Sequence, residues 1–281
     1  MPDYFEKLWD CDLYCEETLS LDKAGKSYWD CTWEHAYLPE TISPDQPGPN
    51  YYIDRKFHDF FERIFIDIET KNSKLLEIGC ARSVWLPYFA KKFEFKVYGI
   101  DYSETGCQQA KQILSNEGVR GEIVCADFLS PPESMIEEFD VVISFGVLEH
   151  FEDTEGCILA FSKFLKQGGI MIMNIPNLTG LVGLIQRLMN RNVFNIHVPL
   201  SLAKIMEAIQ KSMLKQVSCN YFLSVNFGVV NYENLKGSIL YTCILQCFCW
   251  LNKTIWFIER LLPIKPNRWS SPYINCVAIK P

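Results

Sequence analysis

Between residues 74 and 176 short apolar runs alternate with stretches of helical periodicity, and this alternation restricts the possible folds more than any other feature. Leu75–Ile78, Lys96–Ile100, Glu122–Ala126, Phe139–Ser144 and Ile170–Ile175 read as strands. Residues 84–92, 103–117, a short helix near 132–138, and 154–166 read as the helices between them. Such connections are crossovers rather than hairpins, so the strands run parallel and each crossover is right-handed. Val141-Val-Ile143 and Ile170-Met-Ile-Met173 are apolar at consecutive positions, which predicts strands covered on both faces. The reading is an α/β fold with helices on both sides of a mostly parallel sheet.

The flanks are organised differently. Ile53, Phe57, Phe60, Phe61, Ile64 and Ile68 recur at spacings of three and four and predict an amphipathic helix over 51–69. Four prolines and a glycine between Pro39 and Pro49 make that stretch a loop. Beyond Pro176, residues 178–190 and 200–212 read as helices, 214–225 as a strand, 236–262 as one or two apolar helices, and 273–280 as a last strand. The chain divides into a cap over 1–50, a core over 51–235, an apolar helical insertion over 236–270 and a final core strand over 271–281. The uncharged, largely apolar run Gly237–Asn252 has sixteen residues. A membrane span needs about 20, so this run predicts a buried or interfacial helix.

Charge is distributed unevenly. The net charge of −7 combines a head (1–50) at −8 with a tail (200–281) at +6. An acidic chain is a poor ligand for polyanions, which argues against nucleic acid. The twelve cysteines are scattered without a CxxC pair, and the first residues lack the basic and apolar regions of a signal peptide. The expectation is reduced, mostly buried thiols in a cytoplasmic protein.

The strand ends carry the chemistry. Leu76-Glu-Ile-Gly79 leaves the first strand on a glycine, where backbone can approach a ligand closely. Asp101 ends the second strand, 22 residues beyond Gly79, where an acid can accept from both hydroxyls of a ribose. Asp127 ends the third strand beside Phe128, placed for an adenine amino group; for either acid the alternative is a helix cap or a turn.

The ordered series Leu76-Glu-Ile-Gly-Cys-Ala81, Gly99-Ile-Asp-Tyr-Ser103, Ala126-Asp-Phe128, Phe139 through Phe151 and Leu165-Lys-Gln-Gly-Gly-Ile170 resembles a class I S-adenosylmethionine-dependent methyltransferase. Val147-Leu-Glu-His150 resembles the ubiquinone-type and small-molecule O-methyltransferase branch. The resemblance implies a Rossmann-like seven-stranded sheet with its last strand antiparallel, and S-adenosyl-L-methionine as cofactor. It places Glu77 and Gly79 in the first motif and Cys80 and Ala81 at the methionine end. It puts Asp101 on the ribose with Tyr102 beside the adenine, Asp127 and Phe128 at the adenine, and Phe145 and Gly146 at the fourth strand's exit. One departure is Ser83, where the family usually has a glycine.

Some relatives hold a metal on the Glu–His pair with a carboxylate three residues earlier. That position is Gly146 here, so no metal is expected. His150 and His197 are the candidate general bases, since an imidazole near pH 6.5 suits proton removal; structural roles for both stay open. Tyr28, Trp29, Trp33 and Tyr37 are candidates for a lid. The 236–262 segment either walls an apolar pocket, buries a homodimer interface, or makes a peripheral membrane contact. The expected activity is methyl transfer to a hydroxyl of a small molecule or glycan. The alternatives are a non-catalytic cofactor-binding subunit and, more remotely, a thiol- or arsenic-directed enzyme in which Cys80 takes part.

Overall fold

The structure is a computed structural model and describes residues 22–34 and 36–281. Of the predicted cap, residues 1–21 and His35 lie outside the described residues.

Seven strands form one sheet in the order β3-β2-β1-β4-β5-β7-β6. The parallel strands are β1 (Lys74–Ile78), β2 (Lys96–Asp101), β3 (Gly121–Cys125), β4 (Phe139–Phe145) and β5 (Leu165–Pro176). β7 (Tyr273–Ile279) runs antiparallel to both β5 and β6 (Lys215–Phe222), as the terminal strand was expected to. The order reverses at β1, which pairs with β2 on one side and β4 on the other, so the ligand crevice opens beyond the carboxyl ends of β1 and β4.

Alternation along the strands sorts the core into two layers. Leu76, Ile78, Val142 and Met171 face one side, where α5 (Thr154–Ser162) and α8 (Leu202–Lys211) pack with Ile158, Phe161, Ile205 and Ile209. Leu75, Val141, Ile143 and Ile172 face the other, under α2 (Tyr52–Phe65), α3 (Trp85–Phe93) and α4 (Glu104–Asn116). In α2 the predicted amphipathic stripe appears as Phe57, Phe61 and Phe65, buried one turn apart. The short helix predicted near 132–138 is a single 3-10 turn, Glu133–Met135. β5 begins five residues earlier than Ile170, because Leu165 pairs with Phe139 across a register shift.

Outside this core lie α1 (Lys26–Glu34), α6 (Leu181–Met189), α7 (Arg191–Asn195) and α9 (Ile239–Leu261). The apolar segment is therefore one continuous helix of 23 residues. Among the described residues no helix is long and apolar enough to cross a membrane. The cysteine expectation needs correction. Cys219 and Cys276 sit directly opposite in β6 and β7 and are joined as a disulfide. Cys80, Cys107 and Cys157 are buried, but Cys31, Cys125, Cys243, Cys247 and Cys249 are exposed. Facing positions in an antiparallel pair depend on register, which a separation of 57 residues does not reveal.

Candidate active site

Both strands at the reversal leave the sheet on a glycine in the left-handed region, Gly79 at φ +74° and Gly146 at φ +66°. Gly79 is doubly required, because a Cβ there would lie 2.3 Å from the Val147 side chain. The two turns bracket a cavity of about 240 Å³ whose wall includes Gly79, Ala81, Asp101, Tyr102, Phe128, Phe145, Gly146 and His150. The sequence reading named all eight. Val147, Phe151 and Asp22 also line it and were missed. Val147 and Phe151 lie inside the quoted strand-four motif, whereas nothing distinguished Asp22 from the other acids of the head.

Asp101 is the polar centre of this wall. Its Oδ2 accepts from the Ala81 N–H at 3.0 Å and its Oδ1 from the Ser103 N–H at 2.8 Å. Burial pushes its carboxyl up to about 6, against the two N–H groups that favour the anion. A carboxylate has about four acceptor positions, so two lone pairs remain for donors. Around it stand aromatic surfaces: Phe145 stacks on Trp85 with ring centroids 4.6 Å apart, and Phe128 meets Phe151 edge-on at 5.2 Å.

Helix α1 completes the enclosure. Trp29 and Trp33 lie on the cavity wall and stack on each other at 5.4 Å. The helix is tied down by Lys26 to Glu104, by the Ser103 hydroxyl donating to Asp30, and by Gln109 donating to the Trp33 carbonyl. At its leading end the Tyr102 hydroxyl donates to Asp22, and the Lys23 N–H donates to the His150 carbonyl at 2.9 Å. The Trp33 indole N–H is buried without an acceptor among the described residues. Tyr37, also a lid candidate, is instead 95% exposed.

Four expected cofactor or catalytic residues are not on the wall. Glu77 is buried behind it, where Ser83 Oγ donates to its Oε2 at 2.5 Å, and burial raises its carboxyl to about 8. This accounts for the departure at Ser83: the same oxygen also accepts from the N–H groups of Trp85 and Leu86 and caps the start of α3. Cys80 corrects the reading that put it at the methionine end. Its side chain turns into the core against Gly99, and burial holds its thiol well above the usual range. Asp127 is exposed and its Oδ1 accepts from the Leu129 N–H at 2.9 Å, the turn contact weighed for it from the sequence. His197 stands one layer out, its ring 4.5 Å from that of His150.

The histidine pair is held in a defined way. His150 Nδ1 donates to the Ile196 carbonyl at 3.0 Å, and His197 Nδ1 donates to the Val193 carbonyl at 2.5 Å. Each Nε2 is thereby left as the acceptor. Burial lowers both rings below the usual 6.5, His197 to about 4 with the His150 charge also opposing protonation. Both are neutral at pH 7. Glu149, 2% exposed, is pushed up to about 8 by burial and has an Oε2 without a partner among the described residues. Glu149, His150 and His197 each offer one ligand atom within 4.8 Å of the others, a donor set chemically suited to a divalent cation. The expectation of no metal rested on the missing carboxylate at Gly146; the fold supplies a third donor from elsewhere in the chain.

Comparison with known proteins agrees with this geometry. A family described as a methyltransferase domain matches residues 69–218, more than half of the chain. Residues of this chain are 26% identical over 182 positions to EEF1A lysine methyltransferase 2 of Danio rerio, covering 60% of this chain and 77% of that one. They are 31% identical over 170 positions to a ubiquinone biosynthesis O-methyltransferase of Pelagibacter ubique, covering 58% and 65% respectively, just under two thirds of that relative. Among solved structures, a phosphoethanolamine N-methyltransferase of Haemonchus contortus in complex with S-adenosyl-L-methionine superposes with a TM-score of 0.58 at 15% identity, covering 94% of this chain and 60% of that one. The chain belongs to the methyltransferase domain family: it is a class I S-adenosylmethionine-dependent methyltransferase. Its cofactor is S-adenosyl-L-methionine. The site fits that group. Asp101 has lone pairs for hydroxyl donors, the aromatic wall suits a planar base, and Trp33 holds a donor without an acceptor.

Proposed function

We propose that the protein methylates a hydroxyl of a small molecule or glycan, with His150 as the general base and His197 behind it. The observation that supports this is the histidine pair: two neutral imidazoles in contact, each with Nδ1 tied to a backbone carbonyl, the first on the cavity wall. The bound cofactor supplies an electrophilic methyl on a sulfonium. The residues' part is alignment and dryness, since an in-line displacement gains most from a fixed approach and exclusion of water. Trp29, Trp33, Phe145 and Phe151 provide the apolar enclosure. His150 Nε2 takes the acceptor's hydroxyl proton as the oxygen gains the methyl, and the nearby Asp22 favours the imidazolium that forms. An amine acceptor, as the lysine methyltransferase relative suggests, would need its own proton removed before attack, and Asp22 and Asp101 are the acids on this wall that would face a cation.

The test is turnover of hydroxylated against amine acceptors, read as S-adenosylhomocysteine released and methylated product by mass. Hydroxyl methylation should fall about 100-fold or more in His150→Asn, the ordinary size of a general-base contribution, with cofactor affinity retained. The acid limb of kcat/KM should lie below pH 6.5, because the lowered imidazole stays neutral further into acid. Preference for amines, or full activity in His150→Asn, would overturn the reading. Cofactor binding without any product would support the non-catalytic alternative.

A further inference from the structure

The surface that the methyltransferase site does not use is the outer side of α9. The helix has two stripes at helical spacing. Tyr241, Ile244, Phe248, Asn252, Ile255 and Glu259 turn inward, with Phe248 stacked on Phe227 at 5.2 Å and the Phe227 N–H donating to Asn252 at 3.0 Å. Trp250, Lys253, Phe257 and Arg260 form the opposite stripe and are all exposed, Trp250 by 65% and Phe257 by 61%. Ile239, Leu240 and Leu261 extend the exposed apolar surface at both ends. A helix apolar on both sides is normally covered on both, and a patch of this kind on a soluble domain marks an interaction surface. α9 contributes nothing to the wall of the cofactor cavity, so covering the substrate is not its role in this conformation.

The charge around this surface identifies what covers it. After Glu233 the chain carries Lys236, Lys253, Arg260, Lys265, Arg268 and Lys280 but only one acid, Glu259. Glu259 is turned inward and occupied, accepting from the Tyr52 hydroxyl at 2.5 Å and the Ser224 hydroxyl at 2.7 Å. Lys253, Arg260, Lys265 and Arg268 are exposed with no carboxylate partner among the described residues. Beyond α9, Trp269 is 63% exposed with Arg268 over its ring, and its carbonyl accepts from the Leu181 N–H at the start of α6. A second copy docked by two-fold symmetry would set these bases against themselves. An anionic bilayer surface instead matches every component: Trp at the headgroup level, aliphatic and Phe side chains below it, and Lys and Arg reaching the lipid phosphates. The helix is about 34 Å long and lies flat against the core, the geometry of an interfacial rather than a spanning segment.

We propose that the outer face of α9, with the Arg268–Trp269 corner, docks the protein peripherally on anionic phospholipid. The test is co-sedimentation of the full chain with vesicles of phosphatidylcholine alone or doped with phosphatidylserine, at low and high salt. Binding should require phosphatidylserine and weaken with salt. It should fall about fivefold for each base removed in Lys253→Gln and Arg260→Gln. It should be lost in the double variant Trp250→Glu/Phe257→Glu. Because both aromatics are exposed, that variant should keep the wild-type melting temperature and cofactor affinity. Alkylation mapped by mass gives a second readout: Cys243, Cys247 and Cys249, exposed on the same helix, should be protected by phosphatidylserine vesicles while Cys125 is not. No binding to phosphatidylserine vesicles, or equal binding to both compositions, would overturn the proposal. So would sedimentation as a dimer in which the three thiols are already protected without lipid.

Discussion

The rim of the cofactor cavity and the α6–α9 region solve opposite problems. At the rim, polar groups are buried and almost all are matched: Asp101 to two backbone N–H groups, Glu77 to Ser83, Ser83 to two further N–H groups. Backbone conformation is specified there too, by glycines that a side chain would not fit. Around α9 the interior contacts are large and aromatic, while the outer face is apolar and cationic with nothing described upon it. The comparison teaches that a ligand site is recognised by polar groups left with spare capacity, and a docking surface by apolar groups left uncovered. The first is local and stereochemical. The second is a property of area and charge.

Substitutions can break or sharpen this contrast. The largest stability loss is expected in the α9 region, at its inner face: Trp256, stacked on Tyr52 at 4.8 Å and donating to the Val225 carbonyl at 3.0 Å, should cost about 3–5 kcal/mol on Trp256→Ala in urea unfolding. Asp101→Ala should be the opposite kind of change, with cofactor affinity reduced about 10- to 100-fold by calorimetry, the value of one or two charged hydrogen bonds. Equal affinity in that variant would remove Asp101 from the site.

Glu77 separates the regions by pH. Its native carboxyl titrates at about 8 against an ordinary 4.5, so between those values the folded protein holds a proton that the unfolded chain has released. Its contribution to stability is full below about 4.5 and is lost as pH rises toward 8, on the order of a few kcal/mol. Glu77→Gln should flatten that decline, seen as a smaller difference in urea midpoint between about pH 5 and pH 9. Ser83→Ala should cost about 1–2 kcal/mol through the lost cap and the weakened Glu77 contact. Phe257→Ser, on the outer face of α9, should stay within about 0.5 kcal/mol of wild type, and a larger loss would mean that this face is covered in the free protein.

Much of this was legible in the residues. The strand–helix alternation located the five parallel strands and the helices between them, and the flanking patterns located β6, β7, α2 and α8, because strands buried on both faces must be continuously apolar and amphipathic helices must repeat at three and four. Asp101, Gly79 and Phe128 could be named because a strand end in an open parallel sheet is a fixed place for a ligand, whereas Phe145 was implied by the family resemblance. Ser83 looked like a defect in the motif, and only its three hydrogen bonds show it acting for the missing glycine's neighbourhood. Cys80 turns into the core because adjacent positions at a strand exit point to opposite sides, and spacing alone does not say which side carries the cavity.

What the sequence determined by itself was therefore the layered α/β fold, the end of the sheet where the cofactor binds, and the contrast between an acidic head and a basic tail. These follow from periodicity and chemistry carried within a few residues. The tertiary structure decided what depends on distant segments meeting: His197 against His150, Asp22 against Tyr102, Cys219 against Cys276, and one helix showing its aromatic stripe to the core and its cationic one to the outside. Such pairings are set by register and packing angle, quantities that no local stretch of chain contains.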